Sequence, residues 1–217
     1  SKINLSSQEK EKLINYILKN KSNQNFKMYK ENLFSWTGDQ EGHGALHNVD
    51  LFEVLFKEII NHVYNYLDLL FIDHSQLDIY FQRSWATISS GKEFINKHNH
   101  AQSHLSFAYY LKKEENDSTI IFWDKNKHNE FIPELFSSPT IKMKKIIKQK
   151  TLLNSSEVTI LPKEDDIIIF PSKTFHSTEK NKNNKNRISI SADISIFAKD
   201  ENYLEHLTPP INLWKKF

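Results

Sequence analysis

The sequence has no cysteine among its 217 residues, which excludes disulfide scaffolds, thiolate zinc sites and cysteine nucleophiles. Glycine is also scarce, at four residues, whereas an average chain carries about 7%. The glycines are Gly38, Gly42, Gly44 and Gly91. A Walker A loop and a GxGxxG fingerprint each require glycines at fixed spacing beside a strand, and these positions provide neither. We therefore expect neither a P-loop NTPase nor a Rossmann dinucleotide-binding domain.

Long apolar runs and an excess of one charge are missing as well. No segment approaches the roughly 18 apolar residues of a membrane span, and the N-terminal segment lacks the apolar core of a signal peptide. The 29 basic and 27 acidic side chains give a formal net charge of +2, which gives no support to nucleic-acid or membrane-surface binding. We expect a soluble, cytoplasmic protein that acts on a small molecule or a peptidyl group. A homodimer is compatible with this expectation, since dimers are common among soluble proteins.

The N-terminal third has the hydrophobic period of helices. Residues 6–20 are predicted to form an amphipathic helix with a serine as its cap. Residues 49–70 are predicted to form a longer helix, capped by Asn48 or Asp50. The segment 34–48 carries three of the glycines and is interpreted as a loop. The apolar stripe of the longer helix consists of Leu51, Val54, Leu55, Ile59, Ile60, Val63, Tyr64 and Leu67.

Beyond residue 76 the period changes to two residues, which is typical of strands. The runs are short, are separated by polar turns and have no long helix between them, so they favour an antiparallel sandwich or barrel over a doubly wound sheet. We predict one domain over residues 1–217, with a helical support region (1–75), a β core (76–197) and a C-terminal tail (198–217) that packs on the core. The strand-like runs are residues 77–89, 104–112, 118–124, 157–161, 166–171 and 187–197.

Three histidines are placed so that they can share one metal ion. His98 and His100 are two residues apart, and in an extended backbone such side chains point to the same face. His176 follows a strand and a turn in the segment DIIIFPSKTFH. Two imidazoles with this spacing and a distant third at the mouth of a barrel can form a facial metal site. Neutral imidazoles suit iron, copper, nickel or zinc.

An arginine on a later strand adds a second element to this site. Arg187 lies eleven residues beyond His176 and is predicted to point into the barrel. A buried guanidinium is costly unless an anion pairs with it. Ser189 lies on the same face of the strand, so the two side chains offer a carboxylate a bidentate fork and a hydroxyl. A metal beside such a clamp indicates a dicarboxylate that chelates the metal at one end.

In this order, the motifs resemble those of the 2-oxoglutarate/Fe(II)-dependent oxygenases. The pattern consists of Trp85, the HxH pair, the strand SFAYYL, the strand IIFWD, the segment FPSKTFH and the strand RISIS, and it covers about residues 80–195. The resemblance implies a mainly β fold with N-terminal helices. Its core would be a double-stranded β-helix, the jelly-roll or cupin-like architecture, flanked by two or more helices.

The resemblance also implies an activity and a set of site residues. The enzyme would be a dioxygenase that uses Fe(II), O2 and 2-oxoglutarate, releases succinate and CO2, and hydroxylates a substrate that the sequence does not identify. The metal ligands would be His98, His100 and His176. Arg187 would bind the C5 carboxylate of 2-oxoglutarate, with Ser189 beside it and Tyr110 in contact with the same carboxylate.

Two features depart from the pattern of the wider superfamily. His100 stands where a carboxylate ligand is usual, which leaves a site charge of about +2 instead of +1. Gln102 and His104 would share the face of His100 if the strand were already regular there, so the third ligand has alternatives. In addition, Phe107 follows Ser106 in a segment where the family carries glycine, and it either narrows the pocket or packs outside it.

Other aromatic side chains and histidines near these motifs are interpreted as structural. Trp85, Phe122 and Trp123 are expected in the barrel core rather than in the pocket wall. His43 and His47 belong to the loop before the second helix and are expected to face solvent.

Two further functions remain open at this point. The first is a cupin-like three-histidine metal enzyme that does not use 2-oxoglutarate, in which Arg187 would bind the substrate itself. The second is a non-catalytic jelly-roll binding protein that carries no metal. The basic run at 142–150 is interpreted as a solvated surface, with a weak indication of an anionic or protein partner.

Overall fold

The computed structural model describes residues 1–21, 35–36, 44–115, 117–123, 129–136, 146–151, 153–200 and 207–216. Two α-helices, α1 (Ser7–Lys19) and α2 (Glu53–Leu69), lie in the N-terminal third. The strands are β1 (Ser35–Trp36), β2 (Leu77–Ser89), β3 (Leu105–Lys112), β4 (Ile120–Trp123), β5 (Glu157–Ile160), β6 (Ile167–Pro171), β7 (Phe175–Thr178) and β8 (Arg187–Ala198). In the part of the chain described, neither helix combines the length and hydrophobicity needed to cross a bilayer.

Helix α1 starts where the sequence predicts it, because a capping box closes its first turn. The Ser6 hydroxyl accepts a hydrogen bond from the Glu9 amide at 3.3 Å, and the Glu9 carboxylate accepts one from the Ser6 amide at 2.8 Å. Leu13 and Ile17 face inward and are buried. The prediction of an amphipathic helix in this region is confirmed.

Helix α2 differs from its prediction at the N-terminal end. A short 3-10 turn occupies Asp50–Phe52 before the helix begins. Phe52 is at the N-cap position of α2, and no side chain there caps the helix with a hydrogen bond. The predicted cap by Asn48 or Asp50 is therefore wrong. The turn changes the phase of the apolar stripe. Leu51 and Val54 are therefore exposed, whereas Phe56, absent from the predicted stripe, is buried.

The strands form two antiparallel sheets. The larger has the order β1-β2-β8-β3-β6 and the smaller the order β5-β4-β7. Three elements were not predicted. Strand β1 and the 3-10 turn Leu46–Asn48 occupy parts of the predicted loop 34–48, and β7 begins just after the predicted turn that precedes His176. Residues 37–43 of that loop, which include His43, lie outside the described residues.

The two faces of the larger sheet have different environments, as β8 shows. Ile188, Ile190 and Ile194 belong to the apolar core that includes residues of both helices. Arg187 and Ser189 alternate with them and line a cavity on the opposite face. Because residues of the smaller sheet line the same cavity, the candidate site lies between the two sheets, and the helices support the larger sheet from outside.

The C-terminal segment contacts the end of β8. The Ala198 amide donates to the Thr208 carbonyl at 2.8 Å, and the rings of Phe197 and Trp214 are 5.6 Å apart. Trp214 is nevertheless exposed.

Candidate active site

Three imidazoles converge at one end of the cavity. One ring nitrogen from each of His98, His100 and His176 lies within 4.8 Å of those of the other two. The Nδ1 atoms of His98 and His176 contact the carbonyl oxygens of Asn96 and Thr174, at 2.8 and 3.0 Å. A carbonyl only accepts hydrogen bonds, so both Nδ1 atoms carry the proton. The unprotonated Nε2 of each ring is then available as a metal ligand.

Backbone pairing holds the distant histidine against the HxH pair. His98 and His176 form an isolated antiparallel bridge, in which each amide donates to the carbonyl of the other residue, at 2.9 and 2.8 Å. The His100 amide donates to the Ser172 carbonyl at 2.9 Å. The HxH segment therefore runs in extended form along β7, which places His98 and His100 on one face, as their spacing predicts.

The two alternatives for the third ligand lie outside this cluster. His104 is exposed, and its Nδ1 accepts a hydrogen bond from the Ile196 amide at 2.8 Å. Gln102 is also exposed, and its carbonyl accepts from the Gln82 side chain at 2.9 Å. Of these residues, the geometry brings only His100 to the other two imidazoles.

Burial keeps two of the imidazoles neutral. It lowers the pKa of His98, and it lowers the pKa of His176 to about 3, with a smaller contribution from the neighbouring imidazoles. A neutral imidazole has the free lone pair that a metal requires. The cluster can therefore bind a cation at neutral pH without first releasing protons from these two rings.

The buried carboxylate of Asp193, which the sequence analysis did not identify, contacts the His100 ring on the side of Nδ1. Asp193 contacts His100 Nδ1 and accepts hydrogen bonds from Arg83 Nε and Nη2 at 3.0 and 2.8 Å. Burial opposes ionisation of Asp193, but the bond to His100 and the nearby charges outweigh it and hold the pKa of Asp193 below its usual value. The sequence does contain an indication of where Asp193 lies. It is six residues from Arg187 on one strand, and an even spacing places both side chains on the same face.

The opposite end of the cavity contains the predicted carboxylate clamp. Arg187 is 2% exposed, and its Nη1 donates to the Ser118 hydroxyl. Among the described residues no carboxylate forms an ion pair with it. Tyr110 and Ser189, buried on adjacent strands and paired in the sheet, line the cavity with it. Burial raises the pKa of Tyr110 to about 12 despite the opposing charge of Arg187, so its hydroxyl remains a hydrogen-bond donor.

The cavity between these ends has a volume of about 50 Å³, which is small beside the roughly 300–1,000 Å³ of typical small-molecule sites. Trp85 belongs to its wall, so the expectation that this residue lies in the barrel core rather than in the pocket wall is wrong. His47 lies on the helix side of the larger sheet, where its Nδ1 contacts the Ser84 hydroxyl at 2.8 Å and its ring contacts Phe56, and not in solvent as expected.

The aromatic neighbours divide between the wall and the core. Phe107 touches the cavity, but its ring lies 6.5 Å from those of both Phe56 and Phe81, within the core under the helices. Phe122 lies 6.1 Å from the ring of His176. Trp123 donates from Nε1 to the Ser177 hydroxyl at 3.2 Å.

The donor set fits a first-row transition metal and a dicarboxylate. The three imidazoles provide nitrogen ligands that such metals accept, and their protonated Nδ1 atoms already have acceptors. Arg187 is a buried cation without a carboxylate partner in the described part of the chain. Because a buried charge requires compensation, this guanidinium suits an anionic ligand group.

Residues 83–193, just over half of the chain, match the model of a family described as "Putative 2OG-Fe(II) oxygenase". The chain belongs to this family. The protein is therefore a 2OG-Fe(II) oxygenase, an enzyme that works with Fe(II), 2-oxoglutarate and O2. The matched segment runs from Arg83 to Asp193 and includes the histidine cluster and Arg187, so both ends of the cavity lie within the matched region.

Several solved structures have a fold similar to that of this oxygenase. The α-ketoglutarate-dependent epimerase SnoN from nogalamycin biosynthesis matches with a TM-score of 0.57 and 13% identity, over 89% of this chain and 75% of its own. The viral collagen prolyl hydroxylase vCPH from Paramecium Bursaria Chlorella virus-1, a 2OG complex, matches with a TM-score of 0.50 and 15% identity, over 89% and 93%. HygX from Streptomyces hygroscopicus, which has nickel and 2-oxoglutarate bound, matches with a TM-score of 0.54 and 9% identity, over 91% and 82%.

These likenesses confirm the predicted double-stranded β-helix with N-terminal helices. A search of proteins with curated descriptions found no match to the oxygenase. The family match supports the 2-oxoglutarate-dependent function over the two alternatives that the sequence left open.

Proposed function

We propose that His98, His100 and His176 hold Fe(II) through their Nε2 atoms, and that the oxygenase hydroxylates a small-molecule or peptidyl substrate. The observation that carries the ligand assignment is the convergence of three ring nitrogens within 4.8 Å, with each Nδ1 engaged elsewhere. Fe(II) held by these residues would supply the activation of O2 that couples its reduction to the decarboxylation of 2-oxoglutarate. One oxygen atom enters succinate and the other enters the product alcohol, while CO2 leaves.

The residues of the opposite end orient the cosubstrate. Arg187 binds the C5 carboxylate through its free N–H groups, and the hydroxyls of Tyr110 and Ser189 donate to the same group. All three side chains are buried, so this interaction is screened little by water. The cosubstrate is thereby fixed with its keto end toward the imidazoles, and the enclosed wall limits the access of bulk water.

The assignment is tested by metal binding and cosubstrate turnover. Under anaerobic conditions, Fe(II) with 2-oxoglutarate is expected to give a weak visible charge-transfer band. With O2 admitted, slow release of succinate is expected even without substrate. His98→Ala and His176→Ala are expected to lose the band and the succinate. His104→Ala is the matched control, because His104 belongs to the same segment but is exposed and outside the cluster.

Each other function predicts a different result. A three-histidine enzyme that does not use 2-oxoglutarate would bind metal and show no band or succinate. A non-catalytic binding protein would take up no stoichiometric metal, and its histidines would tolerate alanine. Equal behaviour of the His98, His176 and His104 variants would contradict the ligand assignment.

A further inference from the structure

The three imidazoles differ in the partner that accepts their Nδ1–H. His98 and His176 donate to neutral backbone carbonyls, of Asn96 and Thr174. His100 instead contacts the carboxylate of Asp193, which also accepts two hydrogen bonds from Arg83. In the described cluster, one ring thus has an anionic partner and two have neutral ones. The ring with the anionic partner is that of His100, which occupies the position where the wider superfamily carries a carboxylate ligand.

We propose that Asp193 is a positioning residue for the metal: through His100 it provides the negative charge that the usual carboxylate ligand would provide directly. The inference rests on the proposed function, since it takes His100 as a ligand. A carboxylate that accepts Nδ1–H fixes the tautomer with Nε2 unprotonated and makes that nitrogen a stronger donor. The negative charge then lies one side chain away from the metal instead of in contact with it.

The surroundings of Asp193 keep its charge in place. Its Oδ1 contacts His100 and accepts from the Ser106 hydroxyl at 3.4 Å, while its Oδ2 accepts both hydrogen bonds of Arg83. The Asp193 side chain is 6% exposed, whereas that of Arg83 is 48% exposed. Water therefore screens the charge of Arg83 far more than that of Asp193. The carboxylate can remain ionised and still act on His100.

The orientation of His100 is restricted from two other sides. The ring of Trp85 lies 5.6 Å from the ring of His100, and the Ser106 hydroxyl lies 3.2 Å from its Nδ1. Ser106 also bonds to the Ser172 hydroxyl at 2.7 Å, so it is held in turn. Replacing the carboxylate by an amide of the same shape would leave this packing unchanged and remove the charge.

The test compares Asp193→Asn with the wild type in metal affinity, measured by anaerobic calorimetry with Fe(II) and with Co(II). We expect affinity to fall about 10- to 100-fold, the usual cost of removing such a partner. The visible absorption bands of bound Co(II) are expected to shift, because the donor strength of His100 changes. Asp117→Asn is the matched control: Asp117 is also buried, but its carboxylate accepts from the amides of Ser118 and Lys182.

The outcomes separate this inference from the proposed function. Unchanged affinity and an unchanged Co(II) spectrum in Asp193→Asn overturn the inference while the ligand assignment stands. An equal loss in Asp117→Asn also overturns it, because the effect would then be general destabilisation. A wild type that binds neither Fe(II) nor Co(II) overturns the proposed function itself.

A measurement on the wild type covers the case in which Asp193→Asn does not fold. In the Zn(II)-loaded protein, imidazole nitrogen NMR is expected to show His100 with a protonated, strongly hydrogen-bonded Nδ1. The Nδ1 protons of His98 and His176 are expected to show weaker hydrogen bonds, since their acceptors are neutral. A His100 signal equal to the other two would overturn the inference.

Discussion

At the scale of single residues, Arg187 is a buried cation that the described residues compensate only weakly. Its guanidinium is 2% exposed and donates to one hydroxyl, that of Ser118, among the residues described. Burial lowers the pKa of Arg187, and the nearby carboxylates of Asp117 and Glu93 only partly oppose this shift. A buried charge with so little compensation is costly to the folded protein. A carboxylate that enters the cavity would reduce this cost and gain a charge-assisted pair.

Arg187→Ala is therefore expected to weaken 2-oxoglutarate binding by about 30- to 1,000-fold, since truncating one partner of a buried charge pair costs about 2–4 kcal/mol. Metal affinity is expected to stay close to that of the wild type, because the imidazoles are at the other end of the cavity. Arg187→Lys should give an intermediate loss, since it keeps the charge but not the fork. Calorimetry with Mn(II) and 2-oxoglutarate measures both affinities. A loss of metal binding equal to the loss of 2-oxoglutarate binding would contradict the separation of the two ends.

Residue identity and spacing were enough to predict that the three histidines share the cavity with Arg187 and Ser189. They did not predict that Trp85 lines it, nor the hydrogen-bond partners of these side chains. His98 and His100 share a face because they are two residues apart, and Arg187 and Ser189 do so for the same reason. Ser118 could not be predicted, because it comes from a segment far away in the sequence. Such contacts depend on how the two sheets pack, and hydrophobic periodicity carries no information on that.

At the scale of elements, most strands were predicted to within two residues of their bounds, including the short strands β4, β5 and β6. Strand β2 has the predicted boundaries, and β8 extends one residue beyond its prediction, since each alternates over many residues. Strand β7 was missed because three of its four residues are polar, so it lacks the apolar run that indicates a strand. The predicted start of helix α2 lies ahead of the observed one, because the 3-10 turn that precedes the helix has a similar apolar composition.

Helix α1 supports the site from outside, through its buried face. Ile17 is fully buried in the core that also includes the apolar face of β8. We expect Ile17→Ala to lower the free energy of unfolding by about 2–5 kcal/mol through the cavity it leaves. Asn15→Ala, on the exposed face of the same helix, should change it by about 0.5 kcal/mol or less. Urea unfolding of the metal-free protein measures both, and equal effects would show that α1 does not pack as described.

At the scale of the whole molecule, ligand binding and folding are linked. The metal and the cosubstrate contact residues of both sheets in the proposed site, so the unfolded chain cannot reproduce it. A ligand at 100 times its dissociation constant adds about 2.7 kcal/mol to stability. For a chain of this size each kcal/mol shifts the melting temperature by about 2–4 °C.

Mn(II) with 2-oxoglutarate is accordingly expected to raise the melting temperature by roughly 5–10 °C over protein treated with a chelator. Calorimetric melting in the absence of O2 measures the shift. The metal alone should give part of it. 2-Oxoglutarate alone should give less than the two together if the metal holds its keto end. A melting temperature that no combination changes would contradict a site shared by the two sheets.

One consequence follows from the position of Arg187 and Asp193 on the same strand. The six-residue spacing along β8 corresponds to about 20 Å of extended chain, so a single rigid segment sets the separation between the anion clamp and the support of the metal. A slip of β8 by one residue against β2 and β3 would turn both side chains into the apolar layer under the helices. Loss of register would thus abolish metal support and cosubstrate capture in one event. Both properties therefore depend on the same register of β8.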